Sequence, residues 1–107
     1  MEENKNFPGL RLTPDEITAV AARVWQINAA DLFTNTNAPA IVEPRHVVFY
    51  HRVKILGVPV SKITQETGFN FTTIWRGCNK VEQKLTTNHL LKSRYDLFKT
   101  LLNLANG

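Results

Sequence analysis

Asn70, Phe71, Thr72, Thr73, Trp75, Arg76 and Asn79 crowd into ten consecutive positions, and their types suit the reading of base edges. Asparagine and arginine make paired hydrogen bonds to adenine and guanine, while threonine bonds a base or touches a thymine methyl. Arg45, Lys62, Lys80 and Lys84 lie in the same part of the chain and are candidates for phosphate oxygens. Each alone would pass for a solvated charge; it is their clustering that singles them out. Phe71 and Trp75 are large apolar groups in the same stretch, and for them partial burial against a preceding helix is the plain alternative.

These residues need an element that presents them, and Ser61–Lys80 (SKITQETGFNFTTIWRGCNK) supplies it. Ile63 and Thr67 give a first short helix an inward face. Gly68 suits the positive φ of a tight helix-to-helix turn. Phe69 follows as an apolar plug, and Asn70 is placed to cap a second helix. Ile74, one turn further, faces back toward Ile63. This is the frame of a helix-turn-helix, whose second helix enters the major groove. A plain helical hairpin would show the same frame.

Other chemistry finds little support. No glycine-rich phosphate loop with a following lysine occurs. His46, His51 and His89 are scattered, there is no HExxH, and no metal site is expected. Cys78 is the sole cysteine, which excludes a disulfide framework and fits a small buried hydrophobe. Glu43, Glu66 and Glu82 have no acid–base partner visible in the sequence. The expectation is a binding protein, with no catalytic residues and no cofactor.

The wider composition agrees. The chain has 107 residues, 43% hydrophobic, with a formal net charge of +4, enough for one packed domain. Residues 1–42 hold three Lys/Arg against five Asp/Glu, whereas residues 43–84 hold seven against three. The positive excess thus falls on and around Ser61–Lys80, where a polyanion would be met. No apolar run approaches the length of a membrane span, and the first residues lack the pattern of a secretory signal. A cytoplasmic setting is expected, with no membrane partner.

Along the chain, residues 1–12 read as a flexible N-terminal arm and 13–107 as a single domain. Leu10 and Leu12 are placed to pin the arm. Thr13-Pro14-Asp15-Glu16 is a dense helix-start signal, and Ile17, Val20, Ala21, Val24 and Ile27 carry that helix to about Asn28. Ala29–Phe33 reads as a helical turn, and 34–43 as a loop broken by Pro39. A helix from Pro44 through Leu56 is apolar around much of its circumference and should lie centrally. The last helix carries Leu90, Leu91, Leu97, Phe98, Leu101, Leu102 and Leu104, so it should pack across the bundle. The expected fold is all-α, with five or six helices, containing the helix-turn-helix and no sheet.

Over Leu12–Leu104 the order of features resembles the C-terminal DNA-binding domain of the bacterial replication initiator DnaA. Leu12-Thr13, Ile17, Val20-Ala21, Ile27 and Asp31-Leu32 match its opening. Pro44-Arg45-His46 is similar to the family's proline-arginine-glutamine. Asn70-Phe71-Thr72-Thr73-Ile74 stands where the family has aspartate-histidine-threonine-threonine-valine. Cys78 and Lys80-Val81-Glu82-Gln83 also fit. The resemblance implies sequence-specific binding of double-stranded DNA, with Asn70, Phe71, Thr72, Thr73 and Trp75 as readers and Arg45 at the backbone. It also implies replication or regulatory proteins as further partners. The family's basic loop is replaced by Thr34–Ala40, which has no positive charge, and Glu43 and Phe69 stand where arginines are usual. Those replacements point to a different DNA site, or to a protein-interaction module that keeps the fold without DNA.

Overall fold

Thr13 opens the first helix with the reciprocal bonds its sequence allows. Glu16 N donates to Thr13 Oγ1 at 3.1 Å, and Thr13 N donates to Glu16 Oε1 at 2.8 Å. The structure is a computed structural model that describes residues 7–106; the first half of the expected arm, residues 1–6, lies outside the described residues. Among those described there are five α-helices and no strand. Helix α1 spans Pro14–Trp25, α2 Pro39–Tyr50, α3 Val60–Thr67, α4 Phe71–Lys84 and α5 His89–Asn106.

Two boundaries differ from expectation, each for a local reason. Helix α1 stops at Trp25 rather than Asn28, because Gln26 turns left-handed (φ 57°, ψ 49°) and Ile27 N donates back to Ala22 O at 3.0 Å. Asn28 then caps a short 3-10 turn, Ala29–Asp31, through Ala30 N. Helix α2 begins at Pro39, not Pro44. Both prolines suit a first helical position, but Ile41 N and Val42 N already close on Ala38 O at 2.9 Å. Pro44 therefore sits inside the helix, where its missing N–H leaves the Ala40 carbonyl without its helical donor. Helix α2 continues without a break into a π-helical turn, His51–Ile55.

Helix α2 is the central element, as its apolar circumference suggested. Val47 and Val48 join Ile17, Val20, Ala21, Leu91, Phe98 and Leu102 in a core shared with α1 and α5. Phe49, the next residue, joins Val60, Ile63, Ile74 and Cys78 in a second core shared with α3 and α4. Ile63 and Ile74 thus meet across the α3–α4 pair. Helix α5, capped by Asn88 Oδ1 on Leu91 N at 3.0 Å, buries Leu91, Tyr95, Phe98 and Leu102 along one face. Leu90, Leu97 and Leu104 remain exposed, so among the described residues one apolar flank of α5 is used.

The described part of the N-terminal segment, residues 7–12, forms successive turns against the bundle. Pro8 O lies 2.6 Å from His51 Nε2, and Tyr95 Oη lies 2.8 Å from His51 Nδ1. A carbonyl can only accept, so Nε2 carries the proton and Nδ1 accepts from the tyrosine. Leu12, expected as a pin, packs against the first core.

One polar group joins three separate segments. Arg45 is only 3% exposed. Its Nε donates to Leu32 O at 2.8 Å, and its Nη2 to Thr34 O at 2.8 Å and Thr36 O at 3.1 Å. The guanidinium lies 4.7 Å from the centre of the Phe69 ring. The loop before α2 and the turn between α3 and α4 are thereby tied to one side chain. Charge-assisted bonds of this kind contribute about 1.5–3 kcal/mol each at best and overlap in effect, so Arg45→Ala is expected to cost about 3 kcal/mol. Arg45→Lys should lose most of that, since an ammonium lacks the planar fork. Urea unfolding with an unchanged m-value measures both; a loss under ~0.5 kcal/mol for the alanine variant would remove the proposed tie.

Candidate nucleic-acid interface

Helix α4 owes its position to its two ends and one close approach. Gly68 ends α3 at φ 84°, a conformation that side chains other than glycine seldom adopt. Gly68 N donates to Thr64 O at 2.8 Å. Two residues on, Asn70 Oδ1 accepts from Thr73 N at 2.8 Å, so Asn70 is the N-cap the sequence suggested. Its amide nitrogen keeps its two donors for other partners. Further along, Gly77 lets α4 approach α2: a Cβ added there would lie 2.6 Å from His46 Cδ2.

Ile74, Gly77, Cys78 and Val81 form the buried face of α4. Asn70, Phe71, Thr72, Trp75, Arg76 and Asn79 are exposed, and Thr73 is half-buried. The expected readers therefore do share an outward surface. At 100° per residue, Thr72, Arg76 and Asn79 lie opposite the core, Lys80, Thr73 and Lys84 on one flank, and Phe71 and Trp75 on the other. Phe71 is 50% exposed and Trp75 40%, so burial against α3 does not account for them.

The basic flank faces a polar concavity of about 540 Å³. Asn35 and Asn37 of the loop border it on one side, and Thr73, Arg76 and Lys80 of α4 on the other, with His46 between. The loop has no positive charge, but it brings asparagine side chains beside the expected readers. His46 records the local field. Its pKa falls to about 4, through burial first and then through Lys80, Arg45 and Lys84. This surface favours an anion over a cation.

Not every expected residue joins this surface. Arg45, expected at a phosphate, borders the concavity, but it is buried and its guanidinium donates to the loop carbonyls. Lys62, on α3, is exposed but borders a separate hollow with Val58 and Pro59. Lys84 is exposed at the end of α4. Lys54, Asn35, Asn37 and His46 are near neighbours that the motif reading did not select. Lys54 reaches α4 from the π-helical turn, with Nζ 5.3 Å from the centre of the Trp75 ring. Only tertiary placement reveals these four.

Two of the acidic candidates, Glu43 and Glu66, have structural roles. Glu43 accepts from Trp25 Nε1 at 2.8 Å and from Arg94 Nη1 at 3.2 Å, joining α1, α2 and α5. Glu66 pairs with Arg52 at 2.6 Å. The sequence showed neither partner because each lies in another element. Cys78 is buried, and burial pushes its pKa up to about 11, far from a reactive thiolate. Among the described residues no cluster of three His, Cys, Asp or Glu side chains is placed to hold a metal, and no helix is long and apolar enough to cross a membrane.

No protein-family model matches the chain. It is similar to the chromosomal replication initiator protein DnaA of Brucella abortus, Brucella suis and Brucella melitensis, at 27% identity over 94 residues in each case. The match covers 87% of this chain and 19% of each relative. The chain thus spans about a fifth of the length of these proteins.

The close approach at Gly77 and the low pKa of His46 lead to two expected outcomes. Gly77→Ala should cost about 1–3 kcal/mol, because the imidazole or the helix must shift; in a His46→Ala background most of that cost should vanish. His46 is neutral in the folded state down to about pH 4, whereas in the unfolded chain it takes up a proton near pH 6.5. Its contribution is therefore complete above about pH 6.5 and is lost as the pH falls toward 4. His51, also lowered by burial, adds in the same direction. Urea unfolding at pH 7, 6 and 5 should show declining stability, with a shallower decline in His46→Gln. An unchanged slope in that variant would place the proton uptake elsewhere.

Proposed function

We propose that this chain is a sequence-specific double-stranded DNA-binding protein, a counterpart of the C-terminal DNA-binding domain of the initiator DnaA, and not an enzyme. Helix α3, the Gly68 turn and α4 act as a helix-turn-helix, with α4 in the major groove. Asn70, Thr72, Thr73, Arg76 and Asn79 meet base edges. Lys80 and Lys84 meet phosphates along one strand, and Lys62 serves the backbone from α3. The protein works in the cytoplasm, in replication or in the control of transcription, with replication or regulatory proteins as further partners. No cofactor or metal is required.

The single observation that carries this reading is the surface of α4. Its first two turns hold exposed hydrogen-bonding side chains beside a flank where Lys80 and Lys84 help depress His46. The similarity to the Brucella initiators agrees with it. The test is duplex binding at several salt concentrations, using sequences selected from a random pool. Affinity should fall steeply with salt, by several log units per log unit of salt. Arg76→Ala and Thr72→Ala should each lose about 1–3 kcal/mol on the selected duplex, with little change on unrelated DNA. If neither variant alters binding to any selected duplex, α4 is not the reading helix.

A second reading rests on the exposure of Phe71 and Trp75 and on the uncharged loop Thr34–Ala40. Aromatic residues are favoured at protein interfaces, so the chain could be an interaction module that no longer binds DNA. That reading requires no duplex retardation at low salt and a protein partner that shifts Trp75 fluorescence.

A further inference from the structure

Phe71 and Trp75 lie one turn apart on α4 and are 50% and 40% exposed. Neither joins a core: the face of α4 that packs inward is Ile74, Gly77, Cys78 and Val81. The Lys54 ammonium over the Trp75 ring steadies the indole without covering it. Holding two large apolar groups against water is unfavourable, so their occupant must be apolar where it touches them. The cations nearest them are Lys54, against one ring, and Arg76, which follows Trp75 on the same helix; Glu82, two turns beyond Trp75, shares their flank. An apolar protein surface placed here would strip water from these cations without returning a partner charge. A polyanion neutralises them. In the major groove of a duplex one group is both apolar and base-specific, the C5 methyl of thymine.

We propose that Phe71 and Trp75 are a specificity-determining pair that reads thymine methyl groups. This inference rests on the duplex-DNA reading above and deepens it. Residues four apart on a helix are separated by about 6 Å along its axis. Base pairs are stacked about 3.4 Å apart, so the two thymines fall within about two steps of each other. The pair selects thymine by contact, while Asn70, Thr72 and Arg76 select their bases by hydrogen bonds. Deoxyuridine differs from thymine only in lacking that methyl, so it isolates the apolar contact and leaves pairing and groove hydrogen bonds intact.

The experiment uses the full chain and a duplex selected from a random pool, with each thymine replaced in turn by deoxyuridine. For the wild-type protein, one or two replacements should lower affinity by about fourfold each, the value of one buried methyl. Phe71→Ala or Trp75→Ala should bind the thymine duplex more weakly and show no remaining preference for it over the uridine duplex. Phe71→Leu, which keeps an apolar contact, should retain part of the preference. Both side chains are exposed, and retained helicity with an unchanged salt dependence on unrelated DNA confirms that the variants are folded. If the protein binds duplex DNA steeply with salt but ignores every replacement, the methyl-reading role is overturned and the DNA reading stands. If the alanine variants lose the thymine and uridine duplexes equally, the pair only positions α4, and the proposal also fails. If no duplex binds at all, the underlying reading and this one fall together.

Discussion

The buried guanidinium of Arg45 is the constraint on which the outer geometry depends. A positive charge so far from water persists only where acceptors replace its hydration. Here three backbone carbonyls, those of Leu32, Thr34 and Thr36, do so. The same carbonyls belong to a loop that is in no regular helix from Leu32 to Ala38 and needs partners for its polar backbone. The two needs cancel in one place. Because the other side of the guanidinium meets Phe69, the loop, the middle of α2 and the turn leading into α4 become one unit. Moving any of them exposes an unmatched charge or an unmatched carbonyl.

From that unit the position of α4 follows. Phe69 packs edge-on against Phe49 at 5.8 Å, so the turn is held from the core as well as from the arginine. Gly77 then allows α4 to lie close to His46, and Ile74 and Cys78 complete the second core. The outward side chains of α4 are therefore carried by an element with little freedom to rock. A reading surface profits from such rigidity, since hydrogen bonds to base edges tolerate little displacement. The price is that His46 sits half-buried beside cations, which makes the helix contact sensitive to acid.

The starts of α1 and α4 were legible in the sequence because capping is local chemistry. Thr13 with Glu16, and Asn70 with Thr73, bond within three residues of each other, and Gly68 announces its own backbone angle. The all-α class and the central place of α2 followed from apolar periodicity. What periodicity hides is the partner of a polar side chain. For Arg45, neighbouring residues say nothing of the carbonyls that the fold delivers from 9 to 13 positions away. Glu43 and Glu66 looked unpartnered for the same reason. Pro44 was read as the helix start and Pro39 as a loop breaker, although both satisfy the same rule; the bonds to the Ala38 carbonyl put the start at Pro39. The residues proposed as readers were legible as a cluster. Lys54 and the asparagines of the loop were not, since tertiary folding alone brings them beside α4.

The two flanks of α4 divide the proposed recognition into parts that obey different physics. On one flank Lys80 and Lys84 act at a distance, without regard to sequence, and their effect fades as salt screens them. On the other, Phe71 and Trp75 act only on contact, and salt hardly touches that contribution. In that proposal, with no positive charge in Thr34–Ala40, the long-range part of the attraction comes, among the described residues, chiefly from α4, α3 and Lys54. Under the proposed reading, recognition relies less on a strong general hold on DNA and more on close fit at a few base pairs. Its preference among sequences should then survive at salt concentrations where its general affinity has already become weak, because the discriminating contacts are the ones that screening leaves in place.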